Sequence, residues 1–90
     1  MRISKNKVLK SDEEKKQLID NLRRNLTVLR SKADMSQEEI AMIIGISRQT
    51  YCSIENSNRE MTWTTYLALI FLFDSLEETS EFFNNLKLFS

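Results

Sequence analysis

The chain has 90 residues, 13 basic and 13 acidic side chains, one glycine, one cysteine, no proline and no histidine; this describes one small domain rich in helix formers, with little room for hairpins or long loops. No apolar run approaches the ~20 residues that span a bilayer, and the basic N-terminus lacks the apolar stretch of a secretory signal, so a cytoplasmic protein with no membrane contact is expected. A single cysteine, Cys52, excludes an internal disulfide and a multi-cysteine zinc site, and the missing histidine removes the commonest metal ligand and general base: no cofactor, no metal and no catalytic residue is expected.

Residues 1–10 carry Arg2, Lys5, Lys7 and Lys10 without an acid and read as a flexible basic arm. Ser11 with Glu14 is a capping-box pattern that opens the first predicted helix, which runs to about Lys32. Leu18, Leu22, Leu26 and Leu29 form one apolar stripe on it, broadened by Ile19 and Val28. Ala33, Asp34 and Met35 are a connector. Ser36 with Glu39 is a second capping box, and the next helix spans about Gln37 to Ile44, with Ile40, Ala41, Ile43 and Ile44 on its apolar side. Gly45 is the only glycine and stands where a turn needs positive φ. Ile46 follows as a small apolar plug.

Ser47 caps a third predicted helix that reaches about Asn56. Residues 57–61 are a loop. Thr62 caps a fourth, apolar helix over about Trp63 to Phe73, with Leu67, Ile70 and Phe73 inward and Phe71 on another side. Ser75 with Glu78 reads as one more capping box, opening a fifth helix with Leu76, Thr79, Phe82, Phe83 and Leu86 on one side. The division expected is an arm at 1–10, a domain at 11–74 and a C-terminal helix at 75–90.

At 100° per residue, Ser47, Tyr51, Ile54 and Glu55 share the inner side of the third predicted helix. Gln49, Ser53 and Asn56 share the outer side, with Arg48 and Cys52 on its flank. Two short helices joined by a tight turn present the second to the DNA major groove. Arg suits guanine, Gln and Asn suit adenine, and Ser suits either base with one hydrogen bond. The plainer reading is that any exposed helix face is polar. Glu55 is costly on the inner side without a partner, and Arg30 is the expected one.

The segment SQEEIAMIIGISRQTYCSIENS, from Ser36 to Ser57, resembles the helix–turn–helix of Cro/C1-type (XRE-family) repressors, whose pattern is close to SQEELA…LGVSRQTISKIENG. Gln37, Ala41, Gly45, Ile54 and Glu55 recur at the family's spacings. The resemblance implies an all-α, compact five-helix, lambda-repressor-like DNA-binding domain whose second and third helices form the motif. It implies base reading by Arg48, Gln49 and Ser53, with Cys52 beside them, and phosphate contacts from Gln37, Thr50, Asn56 and Arg59. It also implies an interhelical ion pair between Arg30 and Glu55. Tyr51 stands where Ile or Val is usual, so the core there must be wider or the hydroxyl must reach a partner. Ser57 stands where Gly is frequent, with Asn58 expected to take the left-handed conformation.

The functional expectation is therefore a sequence-specific DNA-binding transcriptional regulator, a repressor by preference, acting on a palindromic operator as a homodimer. The fifth predicted helix and the exposed edge of the fourth supply the expected dimer surface; the alternative is that the fifth helix folds back to complete the core of a single chain. The other functional reading is a helix–turn–helix protein-interaction module or antitoxin that acts through its apolar C-terminal surface, which the zero net charge favours. An enzyme is not expected: the paired acids Glu13-Glu14, Glu38-Glu39 and Glu77-Glu78 lie in first helical turns, where capping and the helix dipole account for them.

Overall fold

Hydroxyl side chains start four of the helices in the computed structural model, which describes residues 4–85. A single helical turn, α1 (Lys5–Val8), falls within the expected arm. Ser11 then opens α2 (Asp12–Ala33): its Oγ accepts the Glu14 N–H at 3.2 Å while the Glu14 carboxylate accepts the Ser11 N–H at 3.0 Å. Two otherwise unpaired backbone donors are thereby satisfied. α2 stops at Asp34, which takes the left-handed conformation with φ 55°. Ser36 and Glu39 repeat the reciprocal cap at 3.0 and 2.8 Å to begin α3 (Gln37–Ile44). Ser47 Oγ accepts the Thr50 N–H at 3.0 Å to begin α4 (Arg48–Glu55), and Thr62 does the same for Thr65 at 3.1 Å to begin α5 (Trp63–Ser75). α6 (Glu77–Asn85) completes an all-helical chain with no strand among the described residues.

The helices close around one core. Leu22, Leu26 and Leu29 of α2, Ile40 and Ala41 of α3, and Tyr51 and Ile54 of α4 are buried with Met61 and with Tyr66, Leu69, Ile70, Leu72 and Phe73 of α5. α2 is the central strut, touching α4, α5 and α6, while α3 packs on α4 and α5. The radius of gyration, 12.5 Å, is that of a folded chain of this size. Each fully buried Leu contributes roughly 1.5–3 kcal/mol, so the α2 stripe fixes where α4 can sit.

Several expectations are corrected. Ser75 does not cap α6. It is the last residue of α5, and its Oγ donates to the Phe71 carbonyl at 2.6 Å. Leu76 alone separates the two helices, and the Ser80 N–H donates to its carbonyl at 2.8 Å. Leu67 is 42% exposed rather than inward, and Tyr66 and Leu69 take the inner positions of α5. This helix is apolar nearly all round, so periodicity alone does not choose its buried side. Ile43 and Val28 are exposed, because both lie beyond the edge of their helix's core stripe. Ser47 is exposed, since a capping residue stands at the helix mouth and not on its packed side. Thr79 is buried, and its hydroxyl is satisfied by donating to the Phe73 carbonyl at 2.8 Å. The Phe83 side chain and Leu86, expected on the same side, lie outside the described residues.

Candidate functional site

The turn between α3 and α4 is made by backbone geometry. Gly45 has φ 82°, and the N–H groups of Gly45 and Ile46 both donate to the Ala41 carbonyl, at 2.9 and 3.0 Å. A left-handed cap of this kind closes a helix within one residue. Ile46 then packs against the core, and Ala41, 2% exposed, keeps the α3 side of the junction small. The result sets the first turn of α4 at the surface: Arg48 and Gln49 are both exposed. Thr50, Cys52 and Ser53 are half-buried, and Asn56 and Arg59 are exposed.

The base of α4 is held by a polar network. Arg30 Nη2 and Nε donate to Glu55 Oε1 and Oε2 at 2.9 and 3.1 Å, and Arg30 Nη1 donates to the Met35 carbonyl at 3.2 Å. Thr27 Oγ1 and Gln37 Nε2 also donate to Glu55 Oε1, at 3.3 and 3.2 Å. The Glu55 side chain is only 6% exposed. Burial pushes its carboxyl up, but the hydrogen bonds from Arg30 and Gln37, the Arg30 charge and the nearby Tyr51 hydroxyl outweigh that and hold it below the usual carboxylate value. The hydrogen bond to Glu55 likewise holds the Arg30 guanidinium above its ordinary value. Tyr51 is fully buried, and burial pushes its phenol up strongly. Its hydroxyl feels the charges of Glu55 and Arg30 but lacks good hydrogen-bond geometry with either.

Cys52 Sγ donates to Gln37 Oε1 at 3.0 Å. The Gln37 side chain therefore links α3 to both Cys52 and Glu55. At the other end of α4, Thr50 Oγ1 accepts from Ser47 Oγ at 2.8 Å and from Arg59 Nη1 at 3.4 Å. Of the expected site residues, Arg48 and Gln49 stand together at one end of α4, while Thr50 and Arg59 meet across the start of the following loop. Gln37 and Cys52 join the network between the helices. Within α4 the only acid is Glu55, and Arg30 answers its charge, so Arg48 is the outward charge of that helix.

One contact of consequence joins a residue outside the motif, Arg23, to Ser57 at its end. Arg23 Nη1 donates to Ser57 Oγ at 2.6 Å, and Arg23 Nη2 pairs with Asp20 Oδ1 at 2.7 Å. Ser57 itself takes the left-handed conformation, φ 66°, correcting the assignment of that conformation to Asn58. The sequence signal for it is that Ser57 stands where the pattern this segment resembles has Gly, a residue that adopts positive φ freely.

Among the described residues no group of three or more acidic or cysteine side chains converges as a metal set, and no helix is long and apolar enough to cross a membrane. Scans of the chain against protein-family models, curated proteins and solved structures give no match.

Proposed function

We propose that this chain binds double-stranded DNA with sequence preference, as a small transcriptional regulator working in the cytoplasm as a repressor by occupancy. In this reading α3 and α4 form a lambda-repressor-like helix–turn–helix, and α4 enters the major groove. The observation that carries it is the exposed Arg48–Gln49 end of α4, set on a base anchored by Arg30 and Glu55. Arg48 reads guanine through two parallel hydrogen bonds, Gln49 reads adenine, and Ser53 supplies a single bond. Cys52 lies beside them, against a thymine methyl. Thr50, Asn56 and Arg59 contact phosphates, and Gln37 adds one at the α3 N-terminus. A side-chain contact from Gln37 to phosphate releases its bonds to Glu55 or Cys52, which tempers its contribution.

A homodimer on a palindromic site fits this reading, with two recognition helices about one DNA turn apart. Phe71 is 74% exposed on α5, with Leu67 one turn before it. The same apolar surface on a chain of zero net charge favours a second reading: a protein-interaction module or antitoxin on this scaffold. Selection of bound duplexes from a random pool tests the first reading. An enriched palindrome supports the dimeric regulator, and a pool that stays random under low salt favours the protein partner.

A further inference from the structure

The loop after α4 folds back on that helix. The N–H groups of Asn58 and Arg59 both donate to the Ser53 carbonyl, at 2.8 and 3.2 Å, and the Ser57 N–H donates to the Ile54 carbonyl at 3.1 Å. This path requires Ser57 at φ 66°, a conformation in which a side-chain Cβ is crowded and which glycine adopts freely. Beside it a groove of about 590 Å³ separates the loop from α2, with Lys16, Asp20 and Arg23 on one wall and Ser57, Asn58 and Met61 on the other. The hydrogen bond from Arg23 to Ser57 bridges that groove at 2.6 Å. Asp20 orients the guanidinium from the preceding turn at 2.7 Å.

We infer that Arg23 is a positioning residue: with Asp20 as its support, it latches Ser57 in the left-handed conformation and so sets Asn56 and Arg59 for backbone contact with a duplex. The second half rests on the DNA-binding reading; the latch itself does not. Arg23 stands on a different helix from the groups it positions. It fixes where the Arg59 charge is held, next to Thr50 at 3.4 Å. A serine at this place makes the loop conditional on the latch, whereas a glycine would not.

The test is amide hydrogen exchange on the full chain, read at Asn58 and Arg59. In Arg23→Ala these two amides exchange roughly tenfold faster, as a strained turn loses its restraint. Ser57→Gly alone leaves them within about twofold of the parent, and Arg23→Ala with Ser57→Gly returns them to that level. Unchanged exchange in Arg23→Ala, or a double variant as fast as Arg23→Ala, overturns the latch. Binding to a duplex selected by the parent chain is measured alongside. Arg23→Ala weakens it about tenfold and Ser57→Gly restores it, which a lost direct contact from Arg23 to phosphate does not allow. Undiminished binding by Arg23→Ala overturns the positioning role. A parent chain that binds no duplex removes the DNA reading, and the exchange pattern then judges the latch by itself.

Discussion

Arg30 and Glu55 meet across α2 and α4 through two hydrogen bonds, 2.9 and 3.1 Å long, between residues 25 apart in the chain. The pair is the anchor for the end of α4 opposite Arg48. Removing one partner strands a nearly buried charge, so Glu55→Ala or Arg30→Ala costs about 2 kcal/mol, below the cost for fully enclosed pairs because Arg30 keeps some water contact. Urea melts of the singles and of the exchanged pair, Arg30→Glu with Glu55→Arg, check the coupling. Partial recovery in the exchanged pair is expected, and simple addition of the two single losses contradicts the pairing.

The same pair gives stability a pH dependence of defined sign. Glu55 has its carboxyl held below the ordinary value of 4.5 in the folded chain. Its contribution is present above that value and disappears as pH falls through the lower folded-state value. Thermal melts between about pH 6 and pH 3 show a progressive loss of stability in the parent. Glu55→Gln shows a shallower loss over that window, and identical slopes in the two chains contradict the assignment.

Tyr51 tests how well the network is satisfied. Its hydroxyl is buried without a good hydrogen bond, so Tyr51→Phe removes an unrewarded polar group and the protein holds or gains up to about 1 kcal/mol. A loss of that size in a denaturant melt assigns the hydroxyl a working bond to Glu55 instead.

Gly45 separates backbone cost from crowding. A Cβ built there meets nothing within 4 Å, so the φ of 82° is the whole difficulty. Gly45→Ala therefore costs about 1–2 kcal/mol and Gly45→Asn less, because asparagine tolerates the left-handed region. Equal melting temperatures for the two variants argue against a conformational origin.

Phe71 bears on assembly. Its ring is 74% exposed, so Phe71→Asp leaves the melting temperature of the monomer fold nearly unchanged. In sedimentation at about micromolar concentration the parent runs as a dimer and the variant as a monomer, as expected for a large apolar group buried only between copies. A monomeric parent contradicts the dimer.

Much of the helix layout was legible in the sequence because it is written in local chemistry. Ser11, Ser36, Ser47 and Thr62 each bond a backbone N–H three residues on, and that spacing needs no tertiary knowledge. Ser75 has the same pattern and fails, because the chain passes from α5 to α6 through Leu76 alone and the helix continues through the serine. Leu67 was misplaced because an almost uniformly apolar helix has no preferred face until its neighbours choose one. The contact between Arg23 and Ser57, and the left-handed conformation of Ser57 itself, are not legible for a different reason. The two side chains are 34 residues apart, and the left-handed turn that joins them goes to serine where short-range propensity favours asparagine.

Arg48 carries the central claim, and fluorescence-anisotropy titration of a selected duplex and a scrambled one tests it most directly. The parent chain binds the selected duplex more tightly, and its affinity falls steeply as salt rises from about 50 mM to 200 mM. Arg48→Ala loses about 1–3 kcal/mol on the selected duplex, far less on the scrambled one, and melts at the parent's temperature. No binding by the parent at the lower salt, or an equal loss on both duplexes, contradicts base reading by α4.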